Sequence, residues 1–329
     1  MKRSIFLFAS FFIGSILLRG QQNDTITANE VSRIINILAS DSLKGRGNLQ
    51  PGLLKAADFI GKEFSSVGLR PLDGLQNYFF PFYPAGGRTA INDSLIRISN
   101  NLPVYPMIGY NIIGLLPGKS KPKEIIMITA HYDHEGVFSI RRGDSIMNGA
   151  NDNASGTTAM IMLAKYFAKK NDNARTLMFC AFSGEELGLL GSSDFASHII
   201  NPDKIIACIN LEMLGVPQYG KKRVFVVGKG YSSLYNMLQK NLGRNGLKVI
   251  SEPNAEKELF MRSDNYPFSQ KRIPAHTIMA SDDDEKCYHQ PCDELDRIDV
   301  ENMTTIIGAI AASIKPLISG EETPGRSYR

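Results

Sequence analysis

The chain has 329 residues, 43% hydrophobic and 21% charged. That is globular usage, and it excludes both a disordered polymer and a multi-span membrane protein. The formal net charge of +4 falls to +1 once Lys2, Arg3 and Arg19 are set aside with the N-terminal segment, so no electrostatic case exists for nucleic acid or an anionic membrane. Four cysteines are too few for a disulfide-built scaffold.

Lys2-Arg3, an apolar run from Ile5 to Leu18 and Arg19-Gly20 form the basic, apolar and small-residue parts of a secretory signal. The apolar run is about 14 residues, short of the roughly 20 that span a bilayer. No cysteine follows it to carry a lipid. The expected division is therefore a signal peptide over 1–20, one domain over 21–320 and a flexible tail over 321–329. A periplasmic or secreted protein, without stable membrane association after signal removal, follows from that division.

Val31, Ile34, Ile35 and Leu38 recur at helical spacing, Gly45–Gly52 reads as a loop, and Leu54–Val67 reads as a second helix. Residues 75–109 are aromatic, Pro-rich and Asn-rich, which suggests short strands and a surface loop. Asn111–Leu116 and Glu124–Thr129 are β-branched runs around Pro117-Gly118 and read as a strand pair. Helices are expected at Ser155–Lys170, Gly188–His198, Ser232–Leu242 and Val300–Ile318. Strands are expected at Thr176–Phe182, Ile205–Leu211, Arg223–Val227, Leu247–Ile250 and Ile273–Met279. Apolar strands alternating with helices imply an α/β fold with a mainly parallel mixed sheet and helices on both faces, in a single domain.

The chemistry-bearing residues fall at strand ends, where open α/β sheets bind ligands. Glu124–Thr129 runs into His131-Tyr132-Asp133, and the next loop carries Asn151-Asp152-Asn153. Thr176–Phe182 runs into Glu185-Glu186, Ile205–Leu211 delivers Glu212, and Ile273–Met279 precedes an acidic loop and Tyr288-His289. So many carboxylates gathered without countercharge would repel one another, and a divalent metal removes the conflict. Two imidazoles with three acids suit a pair of zinc ions around a bridging carboxylate. Neither an H-E-x-x-H helix nor a C-x-x-C knuckle is present.

The blocks at 130–136, 148–156, 182–192 and Tyr288-His289-Gln290-Pro291 resemble the co-catalytic zinc aminopeptidases, which include aminopeptidase Y and the bacterial leucyl aminopeptidases. Weaker echoes lie at Gly45-Arg46-Gly47 and in 56–71. The resemblance implies the zinc exopeptidase fold, phosphorylase/hydrolase-like, and two Zn2+ ions as cofactors. It implies that His131, Asp152 and Glu212 hold one zinc, and that Asp152, Glu186 and His289 hold the other. Asp133 would fix the His131 tautomer, and Glu185 would be the general base toward a metal-bridging water. Tyr288 would stabilise the oxyanion. Peptides are the implied substrates, cut at their N-termini. A glutaminyl-cyclase-like acyltransferase with a single zinc is the alternative activity, and a catalytically inactive binding module is the alternative of another class. Two positions depart from the family pattern: Glu212 stands where aspartate is usual, and Asn265 where histidine is frequent.

His134 is expected to line the cleft without ligating, and His198 and His276 to be structural. Cys180 and Cys208 read as buried thiols. Cys287 and Cys292 flank His289, and a short disulfide, free thiols or a metal contact all remain open for them.

Overall fold

A computed structural model describes residues 26–82, 109–138 and 143–326. The expected signal over 1–20 and most of the loop expected over 75–109 lie outside those residues. Among the described residues no helix is long and apolar enough to cross a membrane.

The strands are β1 (Arg70–Pro71), β2 (Phe79–Phe82), β3 (Gly109–Leu116), β4 (Lys121–His131), β5 (Gly136–Val137), β6 (Ile146–Met147), β7 (Arg175–Phe182), β8 (Ile205–Glu212), β9 (Arg223–Val226), β10 (Lys248–Val249) and β11 (Ala275–Met279). The helices are α1 (Ala28–Leu38), α2 (Pro51–Ser66), α3 (Gly156–Lys170), α4 (Leu190–His198), α5 (Ser233–Arg244), α6 (Tyr266–Ser269) and α7 (Val300–Ser319). The main sheet has the order β1-β3-β7-β4-β8-β11-β9-β10, with β2 on β3, and β5 pairs with β6 apart from it. Its centre, β7-β4-β8-β11, is parallel throughout, while β3 and β9 join that centre antiparallel. The expected mainly parallel mixed sheet is thus present.

Central strands are buried along their length because both faces are covered. Alternation along β4 assigns the faces: Ile126, Ile128 and Ala130 pack with side chains of α1, α2, α3, α5 and α7. Ile125 and Met127 pack with Phe195 of α4 and Phe268 of α6. Helix α1 shows why the periodicity was readable. Val31, Ile34, Ile35 and Leu38 are its buried stripe, and the Thr27 side chain accepts the Glu30 amide at its start.

One expectation needs correction. The runs around Pro117-Gly118 are not paired with each other. Strand β7 lies between them, antiparallel to β3 (Ile112↔Ala181) and parallel to β4 (Ile126↔Leu177). A strand as apolar as β7 needs a neighbour on each edge, and Gly118 donates its amide to Thr176 Oγ1 at 2.9 Å, so the turn rests on β7 itself. Of the expected tail over 321–329, residues 321–326 are described, and hydrogen bonds reach them from the body of the chain. The buried Arg175 donates to Glu322 O and Thr323 Oγ1, and Arg326 donates to Pro202 O and Ile205 O.

Candidate metal centre and active site

Because β4, β7, β8 and β11 run parallel, their carboxyl ends lie along one edge, and the chain leaves each of them with a polar side chain. His131 is the last residue of β4 and Glu212 the last of β8. Glu185 and Glu186 follow β7, and Tyr288-His289 follow β11. Asp152 comes from the irregular turn Ala150–Ser155 that starts α3, and its peptide bond to Asn153 is cis.

That turn is held by its own neighbours. Asp293 accepts the amides of Asn151 and Asp152 at 2.9 and 3.0 Å. Asn151 Oδ1 accepts the amides of Gly215 and Val216, and Asn153 Oδ1 accepts those of Gly156 and Met213. Thr157 donates to His131 O at 2.6 Å, which fixes the start of α3 to the end of β4. Asp152 is therefore delivered by a rigid loop although no regular element carries it.

Asp152 stands between the two imidazoles. Its Oδ1 is 3.3 Å from His131 Nε2, and its Oδ2 is 3.2 Å from His289 Nε2. Glu186 Oε2 is 3.1 Å from the same His289 nitrogen. His131, Glu185 and Glu212 form one group of donor atoms within 4.8 Å of one another, and His134, Asp152, Glu186 and His289 form a second.

The donor set fits zinc. Nitrogen and carboxylate ligands at 2.0–2.1 Å in a tetrahedron stand about 3.3 Å apart, close to the separations seen here. His131 Nε2 and His289 Nε2 are also buried without a hydrogen-bond partner, as ring nitrogens reserved for a ligand would be.

Electrostatics separates the carboxylates. Burial pushes Glu185 well above the usual carboxylate range, and lifts Glu212 to about 7. Against burial, the imidazoles of His131 and His289 standing beside it hold Asp152 well below its ordinary value. Against burial and the neighbouring Asp152, a bond from His134 and the nearby His289 imidazole hold Glu186 low. Against its own burial, His131 is held well above the ordinary imidazole value by Glu185, Asp133 and Asp152.

Asp133 has a broader position than expected. Its Oδ1 is 3.8 Å from His131 Nδ1, which lies nearer the Asp133 carbonyl oxygen at 3.3 Å. The carboxylate accepts the amides of Glu185 and Glu186 and the Asn48 amide group, the last at 2.7 Å. It thus shapes the loop of Glu185 and Glu186 as well as facing the imidazole. Tyr288 stacks on His289 with ring centroids 3.9 Å apart and lines a pocket with Asp152, Glu185, Glu212, Met213, Leu259, Arg262, Met279 and Asp283. Cys287 and Cys292 form a disulfide across Tyr288 and His289. Asn265 stays off the donor cluster: it accepts from Thr277 Oγ1 and donates to Phe260 O.

Three residues at the site were not assigned to it from sequence. Arg46, only 1% exposed, donates to the carbonyls of Leu38, Tyr132, Asn148 and Gly149, tying the ends of the His131 and Asp152 loops together. Burial brings its guanidinium down to about 10, so it remains charged at neutral pH beside the acids. Its signal was the flanking Gly45, where a Cβ would stand 2.3 Å from Met147 O. Asp264 is fully buried beside His131 and Glu185, and burial raises it to about 6. Asp293 was hidden because its partners are backbone amides.

Comparison with known proteins reads the same way. Residues 111–314 match the model of Peptidase family M28. The chain belongs to that family. It is 28% identical over 221 residues to an aminopeptidase of Bacillus subtilis, YwaD, an alignment covering 65% of this chain and 46% of that protein. The chain spans about half the length of such curated relatives; for leupeptin-inactivating enzyme 1 of Streptomyces exfoliatus the share is 51%. In fold it is similar to BSAP, a zinc aminopeptidase from Bacillus subtilis, with a TM-score of 0.66 at 19% identity over 90% of this chain and 96% of that one. A glutaminyl cyclase from Bacteroides thetaiotaomicron shares the fold at TM-score 0.62 and 15% identity, covering 88% of this chain and 97% of that one.

Proposed function

We propose that the chain is an exported zinc aminopeptidase holding two zinc ions. The observation that carries this reading is the convergence of His131, Glu186, Glu212 and His289 around Asp152, with Glu185 beside them at a pocket. His131, Asp152 and Glu212 would hold one ion; Asp152, Glu186 and His289 would hold the other. Bound there, the ions supply Lewis-acid polarisation of the attacking water and of the scissile carbonyl.

The chain's own groups do the rest. Glu185 takes a proton from the attacking water and returns it to the leaving amine nitrogen. Burial of the Glu185 carboxyl strengthens it as a base, and its place beside His131 and Glu212 puts it next to where the water would be held. The Tyr288 hydroxyl donates to the oxyanion that develops on the former carbonyl oxygen. Met213, Leu259 and Met279 offer an apolar wall to the N-terminal side chain.

Arg262 lines the same pocket, and a free guanidinium there would favour a substrate α-carboxylate. It is instead paired with Asp283 at 2.7 Å, which supports release from the N-terminus over release from the C-terminus. The signal-like residues 2–20 and the Cys287–Cys292 bridge support export to the periplasm or medium, since disulfides persist in oxidising compartments.

The test is a panel of aminoacyl-anilides, N-blocked analogues and N-terminal glutamine peptides, run with and without chelator. Hydrolysis restricted to free N-termini, abolished by chelator and restored by zinc, is expected. Equal cleavage of N-blocked peptides contradicts the aminopeptidase reading. Cyclisation of glutamine without hydrolysis indicates the acyltransferase.

A further inference from the structure

The four-donor group contains one imidazole more than the proposed zinc site uses. His134 is only 1% exposed, and its ring lies edge-on to His289 with centroids 5.4 Å apart. Its Nδ1 is 2.9 Å from Glu186 Oε1, but 3.9 Å from Asp152 Oδ2. The oxygens of Glu186 are therefore divided. Oε2 faces His289 Nε2, the ligand nitrogen, at 3.1 Å, and Oε1 faces His134 at hydrogen-bond distance.

The His134 ring is held in that orientation. The backbone amide of His134 donates to Arg46 O at 3.3 Å. On its other side is Gly149, with φ of +56°, where a Cβ would come within 2.5 Å of the His134 ring. Any other residue at 149 would push the imidazole off Glu186.

Resting on the zinc reading above, the geometry points to His134 as a positioning residue for the metal centre, donating from Nδ1–H to the outer oxygen of Glu186 so that this glutamate ligates through Oε2 alone. Without the donor, Oε1 is a buried carboxylate oxygen short of its partner, and Glu186 is free to turn both oxygens inward or to swing away. The cost falls on the ion shared by Asp152, Glu186 and His289. The ion at His131 and Glu212 has no ligand bonded to His134.

The experiment is a competitive zinc titration of the metal-free chain against a chromophoric chelator, for the native protein, His134→Leu and His134→Asn. Leucine keeps the bulk without the donor, whereas the asparagine amide places an N–H near the original Nδ1. The native chain is expected to bind two ions. His134→Leu should weaken one of them about 10–100-fold and leave the other unchanged, and His134→Asn should restore the lost affinity to within about threefold. Should the leucine variant not fold, His134→Asp replaces it, nearly isosteric with asparagine but without the N–H. Two ions bound by the donor-free variant as tightly as by the native chain, or equal weakening in the asparagine and donor-free variants, overturn the inference alone. A native chain that binds no zinc overturns the metallopeptidase reading and this inference with it.

Discussion

The two groups of donors meet where Asp152 of one stands 3.3 Å from His131 of the other, and they differ in charge and in the elements that carry them. On the His131 side stand Glu185 and Glu212, both raised by burial, with Asp264 also raised close by. Glu212 Oε2 accepts from Asn210 at 3.1 Å, and Asn210 is fixed in turn by Thr129 and Thr277. This half is acid-rich, and its His131 and Glu212 end strands while Glu185 shares the turn of Glu186. On the His289 side the carboxylates of Asp152 and Glu186 are held low by imidazoles, and the ligands come from loops: Glu186 from a turn, His289 from the disulfide-closed segment. Without metal, burial raises the acids of one half, and imidazoles hold those of the other low.

The comparison breaks first at Glu185. Glu185→Gln removes the proton carrier and leaves the remaining donors in place. The account expects kcat to fall about 10³-fold with zinc content unchanged, measured by steady-state kinetics and metal analysis. A variant that stays active contradicts the assignment. Glu212→Gln tests the acid-rich half as a metal site: one of two zinc ions should weaken more than about 100-fold, since even an outer partner of a ligand is worth 10–100-fold. Loss of both ions, or of neither, would show that the halves are not separable.

A histidine outside the cluster supplies a reference for reading acid sensitivity. His276 is buried away from the cluster; its Nδ1 donates to Val227 O, and its Nε2 faces Ser232 Oγ at 2.8 Å. Burial lowers it to about 4, against an ordinary value of 6.5. The unfolded chain therefore binds the extra proton between those two values. The stabilising contribution is complete above pH 6.5 and is lost as the pH falls through 4, by roughly 3 kcal/mol. The stability gap between the metal-free native chain and His276→Gln should narrow by about that much from pH 7 to pH 4 in urea unfolding. The smallest effect concerns the loop-built half: Cys292→Ser should weaken the His289-side ion about threefold and leave the other alone, read by the same zinc titration.

The ligand strands were legible because their signals are local. A continuously apolar run such as Ile205–Leu211 ending in an acid can be read without knowing its neighbours, and the blocks around His131, Asp152, Glu186 and His289 carry their context with them. The pairing of β3 with β7 instead of β4 was not legible, because Pro117-Gly118 satisfies the local rules for a hairpin and only the sheet as a whole decides otherwise. Arg46 and Asp293 escaped for a related reason. Charged residues are usually exposed, and these two are buried to serve backbone carbonyls and amides, groups that every residue has. His134 sits inside a recognised block, yet its bond depends on which oxygen of Glu186 faces which imidazole, and spacing along the chain does not encode that.

The central claim is that two ions share Asp152. Anomalous scattering at the zinc edge from crystals of the zinc-loaded chain measures it directly. The account expects two peaks, one bounded by His131, Asp152 and Glu212 and one by Asp152, Glu186 and His289. A single peak, or two peaks with Asp152 touching only one, would contradict it.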